Sequence, residues 1–595
     1  MKRRWKSMGK SLKQLTSFLK PYWKQLILVA LLSIVIVLMV ALAPLIEGNI
    51  TTQLLSDVKD IAQGVKGAQI QVDVIFRFLT ILFVVYTLNA GLRLILQSLL
   101  ANAIQSATYD LRIAVKEKIT RVPIRYYDAH QTGDLMSRMS TDVEAISNAL
   151  QQSFAAIFQA IIMLVVAIIM MFVIDVQLAW IGISIIPLTL IASRFIVKHS
   201  QIGFRNTQKA LGNLNAITQE NLTGFAQIKL YNYQEETIQT FKKANEALCE
   251  YGFKSSFVSG LMGPSVSMLT YLAIATTIFL GANKVLAGAM LVGNLQAFIR
   301  YVWQVNQPMS QMTQLSAAIQ SSFAAMDRVF GFLNEADDIK DPDYPVIPTP
   351  FQGAVSFNHV EFGYNSTPII KDLSAEIQPG QLVAIVGPTG AGKTTLINLL
   401  MRFYDVEKGS IKIDGVDLRD MNRDTLRSYF GMVLQDTWLF SGSIADNIRY
   451  GKKDATMDEV IEASKKANVH HFIQTLPDGY DMILNEETNN ISNGEKQLIT
   501  IARALLSDPK IMILDEATSS IDTRLDQRIQ DALQTAMQGR TSFVIAHRLT
   551  TIRNADIILV VRDGNIVEQG NHEQLLQNKG FYAELYNSQF ELAKD

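Results

Sequence analysis

The feature that most limits what this chain can fold into is where its charge is missing: the long uncharged apolar runs all lie N-terminal to Asn334. Residues 26–45 hold no charged side chain, and about 20 apolar residues rising about 1.5 Å each match a hydrocarbon core of roughly 30 Å. Residues 78–100, 154–174, 176–193, 255–282 and 286–309 are further apolar stretches, uncharged but for Arg93 and Arg300, so six transmembrane helices are expected. Lys2, Arg3, Arg4, Lys6, Lys10 and Lys13 precede the first run and place the N-terminus in the cytosol. The run after them is longer than a signal-peptide core and has no small-residue cleavage site, so it is read as a retained span. An even number of spans returns the C-terminus to the cytosolic side.

Only Asp175 separates the third and fourth runs, so their outer connection must be short. Residues 110–149 and 198–250 are polar and helical in pattern, which predicts helices extending well into the cytosol. Arg93 and Arg300 fall in apolar stretches, where a charge is costly without a partner or a polar cavity. Gln296, Arg300, Gln304 and Gln307 recur every three or four residues and share one helical face. That face reads either as interhelical hydrogen bonding and snorkelling or as a polar transport cavity. The formal net charge of -1 leaves no footprint for a nucleic-acid partner. Cys249 is the only cysteine, so no intrachain disulfide can form.

Residues 334–352, NEADDIKDPDYPVIPTPFQ, are rich in Asp and Pro and lack a helical stripe, as a linker would. Beyond them the pattern turns to strands at 354–362 and 382–386 alternating with amphipathic helices. The expected architecture is an all-α membrane domain over 1–333, a linker over 334–352, and an α/β P-loop ATPase cassette over 353–595.

Gly387, Pro388, Thr389, Gly390, Ala391, Gly392, Lys393 and Thr394 fit GxxxxGK[ST] between an apolar strand and a helix beginning near Lys393. In such a loop, glycines let backbone N–H groups close on phosphate oxygens and the helix N-terminus adds positive potential. Lys393 would neutralise the β and γ phosphates of ATP, Thr394 would ligate Mg²⁺, and Thr395 completes the loop. A second apolar strand, 511–515, ends in Asp515 and Glu516. Their side chains point different ways, which suits Asp515 to the Mg²⁺ shell and Glu516 to the attacking water, as base or orienter.

Between these motifs lies Asn-Ile-Ser-Asn-Gly-Glu-Lys-Gln over 490–497. The order P-loop, Gln435, this segment, Asp515-Glu516 and then His547 resembles the ATP-binding cassette of ABC transporters, and six preceding spans resemble the exporter type of that family. The resemblance covers essentially the whole chain. It implies that two cassettes pair head to tail, each ATP lying between one P-loop and the partner's signature segment, so one chain is a half-transporter that needs a second. It also implies that Tyr364 stacks on adenine, that Gln435 contacts Mg²⁺ and water, and that His547 contacts the γ-phosphate. Ser492 and Gly494 would belong to the signature, and Asp522 to the loop crossing the dimer interface. Residues 126–138 are similar to the first intracellular loop, whose short helix docks on a cassette, and a second such segment is expected within 224–241. The implied cycle is ATP hydrolysis coupled to movement of a small amphipathic substrate through the lipid bilayer of a bacterial plasma membrane. A lipid or glycolipid flippase, an importer on the exporter fold and an ATP-gated regulator are the rival uses of the same ATPase.

One departure from the family pattern stands out. The usual signature is Leu-Ser-Gly-Gly-Gln, whereas this chain has Ile491-Ser-Asn-Gly-Glu495. Locally, Ser492 and Glu495 form a capping box. At the family's dimer interface, Glu495 would set a negative charge near the partner's triphosphate. At an effective dielectric of about 20 and roughly 8 Å, two unit charges repel by on the order of 2 kcal/mol. Because the nucleotide-binding side is complete and the signature is not, the chain resembles the catalytic-site subunit of heterodimeric multidrug exporters.

Overall fold

A computed structural model describes residues 2–588 except 366, 435–436, 485–490, 516–522 and 547–548. The chain forms two compact units: Met1–Thr120 with Thr132–Glu335, and Arg121–Gln131 with Ala336–Asp595.

The first unit is helical. Its long helices are Trp23–Ala62, Val72–Arg121, Val143–Ile174, Val176–Thr223, Gln234–Gly260 continued by Met262–Leu286, and Val292–Leu333. The 50-residue helix Val72–Arg121 is about 75 Å long at about 1.5 Å per residue. That is more than twice a hydrocarbon core, so the polar extensions expected from the sequence belong to the same rods as the spans. Among the described residues, five helical stretches are long and apolar enough to cross a membrane. The sixth, Val292–Leu333, is more polar because its first turns carry Asn294, Gln296, Arg300, Gln304 and Asn306. It also begins later than the sequence suggested: the preceding helix continues to Leu286, and the chain then turns at Gly288, whose φ is 72°.

Asp175 makes the short outer connection with an extended backbone. Its carboxylate accepts from the Leu178 N–H at 2.9 Å and pairs with Lys284 at 2.5 Å. Several polar residues inside the spans have partners, while Ser33, Thr189, Thr277 and Asn306 each bury a side-chain oxygen without one among the described residues. Arg93 donates to Asn89 at 2.9 Å, Gln296 accepts from the Thr51 hydroxyl, and Gln304 donates to the Val40 carbonyl at 3.4 Å. The Tyr301 hydroxyl reaches the Ala41 carbonyl at 2.6 Å. Helices Trp23–Ala62 and Val292–Leu333 touch through bare backbone at Gly48 and Gly293, where a Cβ on either would run into the other's carbonyl.

The second unit is built on a six-stranded sheet in the order Asn565–Gly570, Ile557–Arg562, Leu382–Val386, Thr541–Ile545, Ile511–Asp515, Phe430–Val433. All neighbours pair in parallel except the first two. Val383 to Val386 are all buried, the continuous apolar run expected of a strand covered on both faces. One face packs on an antiparallel sheet containing Val355–Phe362, Ile370–Ile377 and Lys408–Ile413. The other packs on helices that include Met457–Lys466 and Asn493–Leu506.

Candidate active site

The strand order sets the site. Leu382–Val386 and Ile511–Asp515 flank Thr541–Ile545, whose Ile545 lies in register with both Ile385 and Asp515. Asp515 is therefore two strand spacings, about 9–10 Å, from the end of the P-loop strand. Gln435, Glu516, Asp522 and His547 lie outside the described residues. The strands that precede them in sequence, Phe430–Val433, Ile511–Asp515 and Thr541–Ile545, are parallel neighbours, and their carboxyl ends share the edge where ligands of open α/β sheets bind.

The loop between Val386 and Lys393 is fixed by glycine. Gly390 and Gly392 have φ of 83° and 108°, a region that costs other residues strain. A Cβ on Gly392 would come within 2.8 Å of Ile370 Cδ1, while Gly390 has open space around it. Pro388, Thr389 and Gly390 are exposed, whereas Ala391 is buried as the loop's anchor, closed by its N–H on the Pro388 carbonyl at 3.2 Å. Helix Lys393–Leu400 follows, with Thr394 exposed at its first turn and Thr395 buried behind it.

Lys393 folds back over this loop, donating from Nζ to the carbonyls of Gly387 at 2.7 Å and Pro388 at 3.0 Å. Burial pushes its ammonium below the ordinary lysine range, and the Asp515 charge pulls it partly back. A partly desolvated cation over a glycine-rich loop that leads into a helix N-terminus fits a phosphate chain. Thr394 and Asp515 are the described oxygen donors that could hold Mg²⁺ beside it.

Tyr364 is tied to the same helix, its hydroxyl accepting from Asn398 Nδ2 at 3.2 Å. Its ring makes T-shaped contacts with Phe362 and Tyr404 at 5.1 and 5.0 Å between centroids. Its carbonyl accepts from Arg125 Nη2 at 2.9 Å. Arg125 sits on the short helix Ile124–Asp128, whose Asp128 accepts from the Tyr404 hydroxyl. Burial, with Asp128 next, raises the Tyr404 phenol above its ordinary range.

Ser492 caps helix Asn493–Leu506 in a complete capping box. Glu495 accepts from the Ser492 N–H at 2.9 Å and the Ser492 hydroxyl at 2.7 Å. Gly494 is buried in the first turn.

Sequence reasoning missed three groups. Tyr404 gave no signal by itself. Arg503 crosses from helix Asn493–Leu506 to bond Asn447 O at 2.8 Å and Trp438 O at 3.1 Å, and lies over Phe440 and Tyr450. Residues expected to be only linker supply Asp341, which pairs with Arg423 at 3.1 Å and lies 3.8 Å from the buried Arg402, itself bound to Asp405 at 3.0 Å.

Residues 26–309 match the ABC transporter transmembrane region family, and residues 370–519 match the ABC transporter family. A fatty acid ABC transporter ATP-binding/permease protein of Mycobacterium bovis is 43% identical over 525 residues, covering 88% of this chain and 82% of that protein. The chain belongs to the ABC transporter family. A lipid A-core flippase of Syntrophus aciditrophicus is 36% identical over 86% of this ABC transporter and 85% of its own length. A putative multidrug export protein of Bacillus subtilis is 33% identical over 97% and 99%. The solved structure of a bacterial Atm1-family ABC exporter with ATP bound has a TM-score of 0.76 at 28% identity, covering 96% of this chain and 98% of that one. This ABC transporter is thus a membrane-spanning exporter with a cytosolic cassette, and it couples ATP hydrolysis to transport.

Proposed function

We propose that this exporter moves amphipathic or hydrophobic compounds out of the cell, with residues 1–333 as the translocating domain, 334–352 as linker and 353–595 as motor. The relatives named for a fatty acid, for lipid A-core and for multidrug export all favour cargo with a large apolar part.

In the motor, Lys393 and backbone N–H groups within the loop 387–394 bind the ATP phosphates and Tyr364 stacks on adenine. Thr394, Asp515 and Gln435 hold Mg²⁺, which supplies charge neutralisation at the phosphates. Glu516 takes the proton of the attacking water and His547 donates to the γ-phosphate. Ser492, Gly494 and Asp522 act across a dimer interface. The observation that carries this reading is the half-buried Lys393 ammonium, held over a glycine-shaped loop with Asp515 two strands away. The test is Glu516→Gln, which keeps shape and removes the base: ATP binding persists while hydrolysis and ATP-driven uptake into inverted vesicles fall by on the order of 10²-fold or more. Near wild-type turnover in the purified variant would overturn the assignment.

We also infer that the second half-transporter is an unlike chain. Glu495 places its carboxylate on the N-terminus of helix Asn493–Leu506, where it offsets the positive dipole end that would otherwise favour a partner's phosphate. The cap accounts for Glu495 locally; an unlike partner accounts for an altered signature beside a complete P-loop, Asp515, Glu516 and His547.

A further inference from the structure

One cluster in the membrane unit lies outside the ATP chemistry. Glu47, on helix Trp23–Ala62, accepts from the Tyr86 hydroxyl at 3.0 Å through Oε1 and meets Arg300 Nε at 3.4 Å through Oε2. The packed face of helix Val292–Leu333 runs through Ala297, Phe298, Tyr301, Val302 and Val305, all fully buried. Arg300 and Trp303 occupy the other side. Trp303 meets Tyr271 in a T-shaped contact at 5.6 Å, and both rings are exposed.

The two charges are not equally engaged. The Glu47 side chain is 23% exposed and Arg300 60%. Glu47 is held between Tyr86 and the Nε edge of the guanidinium. Among the described residues, Glu47 is the one carboxylate paired with Arg300, whose guanidinium stays largely exposed. Arg300 stands about 12 Å along its helix from Val292 at about 1.5 Å per residue, within the outer part of the span. Glu47 meets the guanidinium from one side, and the exposed remainder is costly in hydrocarbon unless water or a second anion meets it. The exposed part of its fork matches the oxygens of a carboxylate or phosphate. Trp303, three residues on and about 4.5 Å along the axis, offers with Tyr271 a surface for an apolar chain.

We propose that Arg300, positioned by Glu47 and Tyr86 and flanked by Trp303 and Tyr271, is the head-group subsite for an amphipathic anion: a carboxylate or phosphate on an apolar chain. This rests on the reading of the chain as an exporter of amphipathic compounds and narrows that cargo to acids.

The test is equilibrium binding of radiolabelled dodecanoate and dodecanol to the full chain in phosphatidylcholine nanodiscs without nucleotide, so that binding is read apart from ATP-driven transport. Wild type binds the acid at least about tenfold more tightly than the alcohol, as a charge-assisted fork requires. Arg300→Gln brings the two affinities together, and Arg300→Lys keeps part of the preference. Glu47→Gln removes the competing carboxylate and tightens the acid. Phosphatidic acid in the nanodisc that displaces dodecanoate from wild type identifies a lipid phosphate as the occupant; no displacement identifies the free acid, and the subsite stands in both cases. Equal affinity for acid and alcohol in wild type overturns the proposal. So does equal weakening of both ligands by Arg300→Gln and Glu47→Gln, which marks a purely structural pair. Acid-selective binding without ATP-driven transport counts against the exporter reading and leaves the subsite standing.

Discussion

Lys393 stands where burial and charge oppose each other: desolvation lowers its pKa, and Asp515 raises it again. Because folding lowers the pKa, the charged lysine is a cost to the unliganded fold at any pH below its folded value, and that cost fades as pH rises through that value. Lys393→Ala should therefore leave unliganded stability unchanged or raised while weakening ATP binding by about tenfold to a hundredfold, the worth of a hydrogen bond to a charged group. Thermal unfolding and titration with a fluorescent ATP analogue check the two halves. Tyr404 is the counterpart that the sequence did not disclose. The P-loop was legible because its chemistry is consecutive, whereas Tyr404 acquires a role only when the chain brings Asp128 and Tyr364 to it. Tyr404→Phe should cost about 1–2 kcal/mol in holding helix Ile124–Asp128. Substrate stimulation of the ATPase should fall more than the unstimulated rate, and equal loss of both would make the contact structural only.

At the scale of elements, the strands Leu382–Val386 and Ile511–Asp515 were legible as buried runs, and the long helices as apolar stretches with polar continuations. The limits of that reading have physical causes. The segment 334–352 lacks a helical stripe and forms no helix, but two of its acids are not free linker charges: Asp341 pairs with Arg423 at 3.1 Å and Asp338 meets the same guanidinium at 4.0 Å. Local pattern cannot show which distant arginine an aspartate will meet. Helix Asn493–Leu506 poses the same difficulty, its charged Arg503 being turned inward onto Asn447 and Trp438. Burial lowers the Arg503 pKa, so its hydrogen bonds to carbonyls offset a real desolvation cost. Arg503→Ala leaves those carbonyls short of a donor and should destabilise the unit by about 2–4 kcal/mol. Chemical denaturation of the full chain, followed by hydrogen exchange in residues 438–450, would detect it; unchanged protection there would contradict the role given to this side chain.

For the whole molecule, the decisive question is what stands opposite the signature. The Ser492 and Glu495 cap places a carboxylate at the start of a 14-residue helix. In the head-to-tail pairing that the proposal assumes, that end would look toward the partner's triphosphate. Two identical chains would put this charge at both ATP sites. With an unlike partner it burdens only the partner's site, while Lys393, Glu516 and His547 work against the partner's signature. The prediction is asymmetric inactivation: in a complex with a neighbouring half-transporter, Glu516→Gln here should abolish transport, whereas the matching change in the partner should cost little. Glu495→Gln, with Ser492 left to cap the helix, should relieve about 1–2 kcal/mol of repulsion at the site it faces, on the scale of two charges roughly 8–16 Å apart at an effective dielectric of about 20. That gain should appear as tighter ATP binding at the partner's site alone. The measurement is to purify this chain by itself and with the other half-transporter, then compare ATPase and transport for each variant. Strong substrate-stimulated ATPase and transport from this chain alone would return Glu495 to the role of a helix cap and make the functional pair two copies of one sequence.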